Sequence, residues 1–218
     1  MKRSVLLALT LCAAQPVHAQ AEPGGDEIAL TPQTLGDALS CRSREGLEAF
    51  AGALFLGDQA PTWMRAIKDD KQTQGMLGLY GYKLSQPAAL LGEPVDRVYF
   101  LQNWIVTLWP RTKAQAFIAA HKMARAPIEA TEQYYRFIDP DSGPMLGAFE
   151  PTGNATAAML AKAFGGTPPP AVPSDSLFVG CNYTVASQAE FLAAARQSGA
   201  VLDQAAKDLG KAAVPRKP

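Results

Sequence analysis

Residues 95–109 constrain this chain more than any other stretch. Val95 to Leu101 and Trp104 to Trp109 both have strand length and composition, and Gln102-Asn103 between them fits a two-residue turn. In that register Leu101 faces Trp104, Tyr99 faces Val106 and Arg97 faces Leu108 on one side. Phe100 faces Ile105, Val98 faces Thr107 and Asp96 faces Trp109 on the other. Side chains alternate between the faces of a strand, yet near the turn both faces are apolar. Such a hairpin requires cover on both sides, from helices, a second sheet or a partner.

The hairpin leads straight into a predicted helix. Pro110 ends the second strand, and Thr112-x-x-Gln115 has the spacing of a capping box. Ala114, Phe117, Ile118, Ala120, His121 and Ala124 fall on one stripe at helical period, and Pro127 is expected to stop the helix. A second unit of the same pattern follows. Tyr134 to Ile138 and Met145 to Glu150 read as strands around an Asp139–Gly143 turn, and a helix starts at Thr152 or Asn154. The two units read as a ββα duplication.

The remaining elements are shorter. Thr31-Pro32 and Ser43 are helix starts before Leu35, Ala38 and Leu39 and before Leu47, Phe50, Ala51 and Leu54. Trp63, Met64 and Ile67 fit one face of a short helix. Met76 to Leu84 alternates as a strand that Gln86-Pro87 should break. Three consecutive prolines within Thr167–Pro173 form a stiff linker, Leu177 to Thr184 is a strand, and Ser187-x-x-Glu190 caps a final helix. The fold class is therefore α+β, an antiparallel sheet packed by three to four helices.

The beginning of the chain points to export. Lys2 and Arg3, the apolar run Val5–Ala14 and the small residues Val17 and Ala19 have the plan of a secretory signal peptide, residues 1–19, cut after Ala19. The run is shorter than the roughly 18 to 20 residues of a membrane span, and no later stretch supplies one. The expected layout is a disordered lead over 20–30, a single α+β domain over 31–211 and a frayed tail over 212–218. Cleavage leaves Cys41 and Cys181, an even number bound for an oxidising compartment, the periplasm or the exterior. Their disulfide would close a loop of about 140 residues and join the first helical segment to the last strand.

The composition excludes more functions than it suggests. Basic and acidic residues number 20 each in the full chain, and losing Lys2 and Arg3 makes the remainder slightly acidic. No basic stripe suits a nucleic acid. His121 is the only histidine beyond residue 19, so a metal site built from two or more histidines of one chain is excluded, and any Ser-His-Asp or Cys-His arrangement must use it. Asp139-x-Asp141-x-Gly143 has Pro144 where a calcium loop needs glycine, and reads as a turn. No phosphate-binding glycine loop, dinucleotide fingerprint or Gly-x-Ser-x-Gly elbow is present, and no cofactor is implied.

The aromatic residues Tyr99, Trp104 and Trp109 remain as binding candidates. The expected function is a non-enzymatic binding or interaction protein of the cell envelope, with an envelope protein or a small ligand as partner. The alternative is a periplasmic hydrolase using His121 with nearby carboxylates. The two part on whether His121 is enclosed or opens into a cleft beside an acid.

Overall fold

The structure, a computed structural model, describes residues 28–57, 59–68, 73, 76, 78–128, 131–151 and 175–198. The expected signal peptide, most of the expected lead, the helix expected from Thr152 or Asn154, the proline-rich linker and the expected tail lie outside them, and with that helix the third element of the second ββα unit.

Two short helices come first. In α1 (Pro32–Leu39) the Thr31 hydroxyl accepts from Thr34 N at 3.1 Å and Pro32 takes the first turn, where its missing N–H costs nothing. In α2 (Arg44–Ala51) Ser43 accepts from Gly46 N at 2.9 Å. A π-helical turn, Gly52–Leu56, extends α2.

The rest is a mixed α+β arrangement around one antiparallel sheet. Its strands are β1 (Met64–Ala66), β2 (Leu79–Leu90), β3 (Glu93–Leu101), β4 (Trp104–Pro110), β5 (Ala124–Arg125), β6 (Gln133–Phe137), β7 (Met145–Phe149) and β8 (Ser176–Asn182). Their order is β1-β2-β3-β4-β8-β7-β6-β5. The helix α3 (Arg111–Ala120) follows β4, and a last helix, α4, occupies 188–198. The central hairpin has the expected register next to its turn, where Leu101 pairs with Trp104, Phe100 with Ile105 and Tyr99 with Val106; the pairs expected farther out, Val98–Thr107, Arg97–Leu108 and Asp96–Trp109, are not among the strand's partners. β8 enters between the two hairpins, pairing with β4 on one side and β7 on the other.

Both faces of the hairpin are covered, as its composition requires. On one face Phe100 and Ile105 join Leu35, Leu39 and Phe50 of α1 and α2 and Phe117 of α3 in the main core. On the opposite face Tyr99, Val106 and Phe178 form a second buried cluster, edged by Trp104, Leu108 and Phe149. The first is called the helix face below and the second the far face. Cys41, just after α1, and Cys181 on β8 are joined by a disulfide. Tyr183 reinforces this tie: its hydroxyl donates to Ala38 O at 2.8 Å, and the Arg44 guanidinium donates to Tyr183 O at 2.7 Å.

Four local expectations are corrected. Met64–Ala66 is a strand rather than part of a helix, because β2 supplies an open edge for it to pair with. β2 does not break at Gln86-Pro87; the pairing with β3 shifts between Lys83 and Ala88, and this irregularity accommodates a proline that cannot donate to the ladder. α3 starts at Arg111 on Pro110 without a side-chain cap, so the Thr112 capping box is not formed. It also stops at Ala120, well before Pro127. Lys122 takes a positive φ of 51°, and Ala124 leaves the helical stripe to form β5, where it pairs with Tyr135 of β6. The Ser187 box does form: its hydroxyl accepts from Glu190 N at 3.2 Å while the Glu190 carboxylate accepts from Ser187 N at 2.8 Å.

Candidate functional site

Trp104 opens β4 immediately after the turn, and its indole lies on the far face. The ring reaches as far as β7, where Gly147 leaves it room. A Cβ at Gly147 would sit 2.5 Å from Cη2 and 2.6 Å from Cζ3 of Trp104, closer than any side chain allows. The indole meets Phe149 at 4.8 Å between ring centroids. Phe149 meets Phe178 at 5.4 Å, and Phe178 meets Tyr99 at 5.5 Å. An aromatic series therefore crosses the far face from β7 through β8 to β3.

The three aromatic candidates do not share one surface. Tyr99 is 1 % exposed, inside this series, and Trp109 is 6 % exposed on the helix face, edge-on to Phe117 with the Lys113 ammonium 4.2 Å from its ring centroid. Burial of that depth makes them packing residues. Trp104 alone is half-buried, and it borders a cleft of about 200 Å3 with Phe149, Thr131, Glu132, Gln133 and Glu150.

The acidic side of that cleft is fixed by a network absent from the sequence reading. Arg111, the first residue of α3, donates through Nη1 to Glu132 and through Nη2 to Glu150 at 2.8 Å. Glu150 also accepts from Glu132 N at 3.2 Å, and the Tyr134 hydroxyl donates to Glu132 at 2.9 Å. All these groups are partly buried, where charge-assisted bonds are stronger than at the open surface. One guanidinium between two carboxylates offsets their repulsion and holds them in one geometry. A signal for this did exist. Glu132 and Glu150 flank the open end of the second predicted hairpin, and two acids brought side by side need a shared cation. Nothing in the sequence, however, names Arg111 as that cation.

Chemically, the cleft offers an aromatic wall, the Gln133 amide, the Thr131 hydroxyl and carboxylates already engaged by Arg111. Among the described residues no histidine or thiol lines it. These features suit stacking and hydrogen bonding.

His121 lies elsewhere. It is the C-cap of α3, with its ring 4.1 Å from that of Phe117. It borders a separate cleft of about 270 Å3 with Leu91, Glu93, Lys113 and Ala120. Partial burial lowers its pKa below the usual imidazole value and the nearby Arg136 charge adds to this, while Glu93 opposes them. Among the described residues no hydrogen bond or ion pair joins its ring to a carboxylate, and Glu93 is paired with Lys113 at 3.2 Å.

Among the described residues no group of three or more His, Cys, Asp or Glu side chains is placed to hold a metal ion, and no helix is long and apolar enough to cross a membrane. No family model, curated protein or solved structure matches the chain.

Proposed function

We propose that this chain is an exported, non-enzymatic binding or interaction protein of the cell envelope, periplasmic or secreted, and that Trp104 is the centre of its contact with a small ligand or an envelope protein. The observation that carries this reading is the half-buried indole, seated over Gly147 beside a rim held rigid by Arg111. A rigid aromatic wall with fixed polar neighbours loses little freedom on binding, which favours affinity. The Cys41–Cys181 disulfide supports an oxidising compartment. The test is affinity capture from envelope extract with the wild-type chain and with Trp104→Ala. A species retained by the first and lost by the second is expected; identical captures count against the reading.

One observation favours a second reading, a periplasmic hydrolase: His121 opens into a cleft beside Glu93. Its lowered pKa keeps the imidazole neutral near pH 7, as a general base requires. That reading predicts an ester- or amide-cleaving activity that His121→Gln abolishes and Trp104→Ala leaves intact.

A further inference from the structure

Arg65, Lys83 and Arg97 stand in one row across three neighbouring strands. Arg65 of β1 pairs with Lys83 of β2, and Lys83 pairs with Arg97 of β3. Paired residues of antiparallel strands point to the same face about 5 Å apart, and like charges placed so repel. The row is therefore three cations within about 10 Å. All three are exposed. The ion pairs among the described residues are Asp37–Arg42, Glu93–Lys113, Glu132–Arg111 and Glu150–Arg111, so no described carboxylate neutralises the row.

Guarding a sheet edge against other chains accounts for a charge on β1, which is the terminal strand. It does not account for Lys83, which is paired on both sides, with Arg65 and with Arg97. A second observation gives the row a ligand-sized space. Arg65 and Lys83 line a cleft of about 270 Å3 together with Thr62, Trp63, Leu84 and Ser85. The Ser85 hydroxyl and amide both donate to Trp63 O, at 3.3 and 2.9 Å, which fixes this wall.

We propose that Arg65, Lys83 and Arg97 form a binding site for a ligand bearing two or more phosphate groups. A single carboxylate would neutralise one cation of the row and leave the others opposed. A chain of phosphates matches its length and charge, and each guanidinium fork can donate two parallel hydrogen bonds to one phosphate. The site is separate from the Trp104 cleft and does not depend on it.

The experiment is isothermal titration of the purified chain with inorganic tripolyphosphate at low ionic strength, paired with thermal unfolding without ligand. The variants are Lys83→Gln, Arg97→Gln and the triple change of Arg65, Lys83 and Arg97 to Gln. Arg42→Gln removes an equal charge elsewhere, and Trp104→Ala tests independence. Each single change in the row should weaken binding about tenfold. The triple change should abolish it, and Arg42→Gln and Trp104→Ala should leave it unchanged. Without ligand, Lys83→Gln should unfold at a higher temperature than wild type, because it removes the central repulsion. A second arm uses vesicles with phosphomonoester lipid headgroups. Row-dependent binding to vesicles alone supports the site and assigns the phosphate to a lipid; row-dependent binding of tripolyphosphate supports a soluble source. No row-dependent binding in either arm, or equal weakening by Arg42→Gln and Lys83→Gln, overturns the proposal.

Discussion

The β3–β4 and β6–β7 hairpins flank the same strand and fill the space beside it differently. At the β8 positions Cys181, Gly180 and Val179, β4 presents Ile105, Val106 and Thr107, while β7 presents Leu146, Gly147 and Ala148. The first hairpin is packed with large side chains on both faces around a tight turn. The second leaves a gap on its far face, and the indole of the first occupies that gap. Its open end adds two carboxylates, which the helix following the first hairpin holds through Arg111. One hairpin thus acts as scaffold and the other as socket, and the Trp104 cleft lies where they meet.

Both hairpins depend most on the strand they share. Cys181 pairs with Ile105 on one side and Leu146 on the other, and its disulfide closes a separation of 140 residues. Replacing both cysteines by Ser should cost about 3 to 5 kcal/mol in denaturant unfolding. An unchanged midpoint would show that the tie between α1 and β8 carries no stability.

The socket itself comes next. Gly147→Val should destabilise by about 1 to 3 kcal/mol by overpacking and displace the Trp104 indole, shifting its fluorescence. In the Trp104→Ala background the same change should cost much less, since the clash is gone, and a double-mutant cycle measures that coupling. Additive costs would mean that the glycine is not there for the indole.

Tyr183 tests the link between β8 and α1. Tyr183→Phe removes the hydroxyl donor to Ala38 O, which still accepts from Cys41 N at 3.2 Å, and should cost about 0.5 to 1.5 kcal/mol. Burial pushes the phenol up to about 12 from 10.0. The unfolded chain therefore loses this proton first, and wild-type stability should fall as pH rises from 10 to about 12. Tyr183→Phe should lack that part of the decline.

The smallest effect is expected at His121. Its pKa is lowered from 6.5, so below that pH the unfolded chain takes up a proton that the folded imidazole resists, and stability should decline slightly. His121→Gln should remove this component of the acid-side slope.

The first hairpin was legible in the sequence because two apolar faces and a two-residue gap admit few registers. The helix caps at Thr31, Ser43 and Ser187 were legible because each is a local bond. β1 was not, since three residues become a strand only when β2 offers an edge. The early end of α3 was hidden too: Ala120, His121 and Ala124 keep helical spacing, and the pairing of Ala124 with Tyr135 overrides it. The site was half legible. The sequence singled out Trp104, but composition cannot separate it from Tyr99 and Trp109, because only the packed sheet decides which aromatic residue keeps an open edge. Arg111 joins acids 21 and 39 residues away, and that contact exists only in the folded chain.

If Trp104 is the contact point, its indole must respond to a partner while the other two do not. The most direct measurement follows the three indole N–H signals of Trp63, Trp104 and Trp109 by heteronuclear NMR while fractionated envelope extract is added. A fraction is expected to move the Trp104 indole together with the amides of Thr131 and Gln133, to leave Trp63 and Trp109 in place, and to lose its effect on Trp104→Ala. A fraction that binds without moving Trp104, or that binds Trp104→Ala equally well, would contradict it.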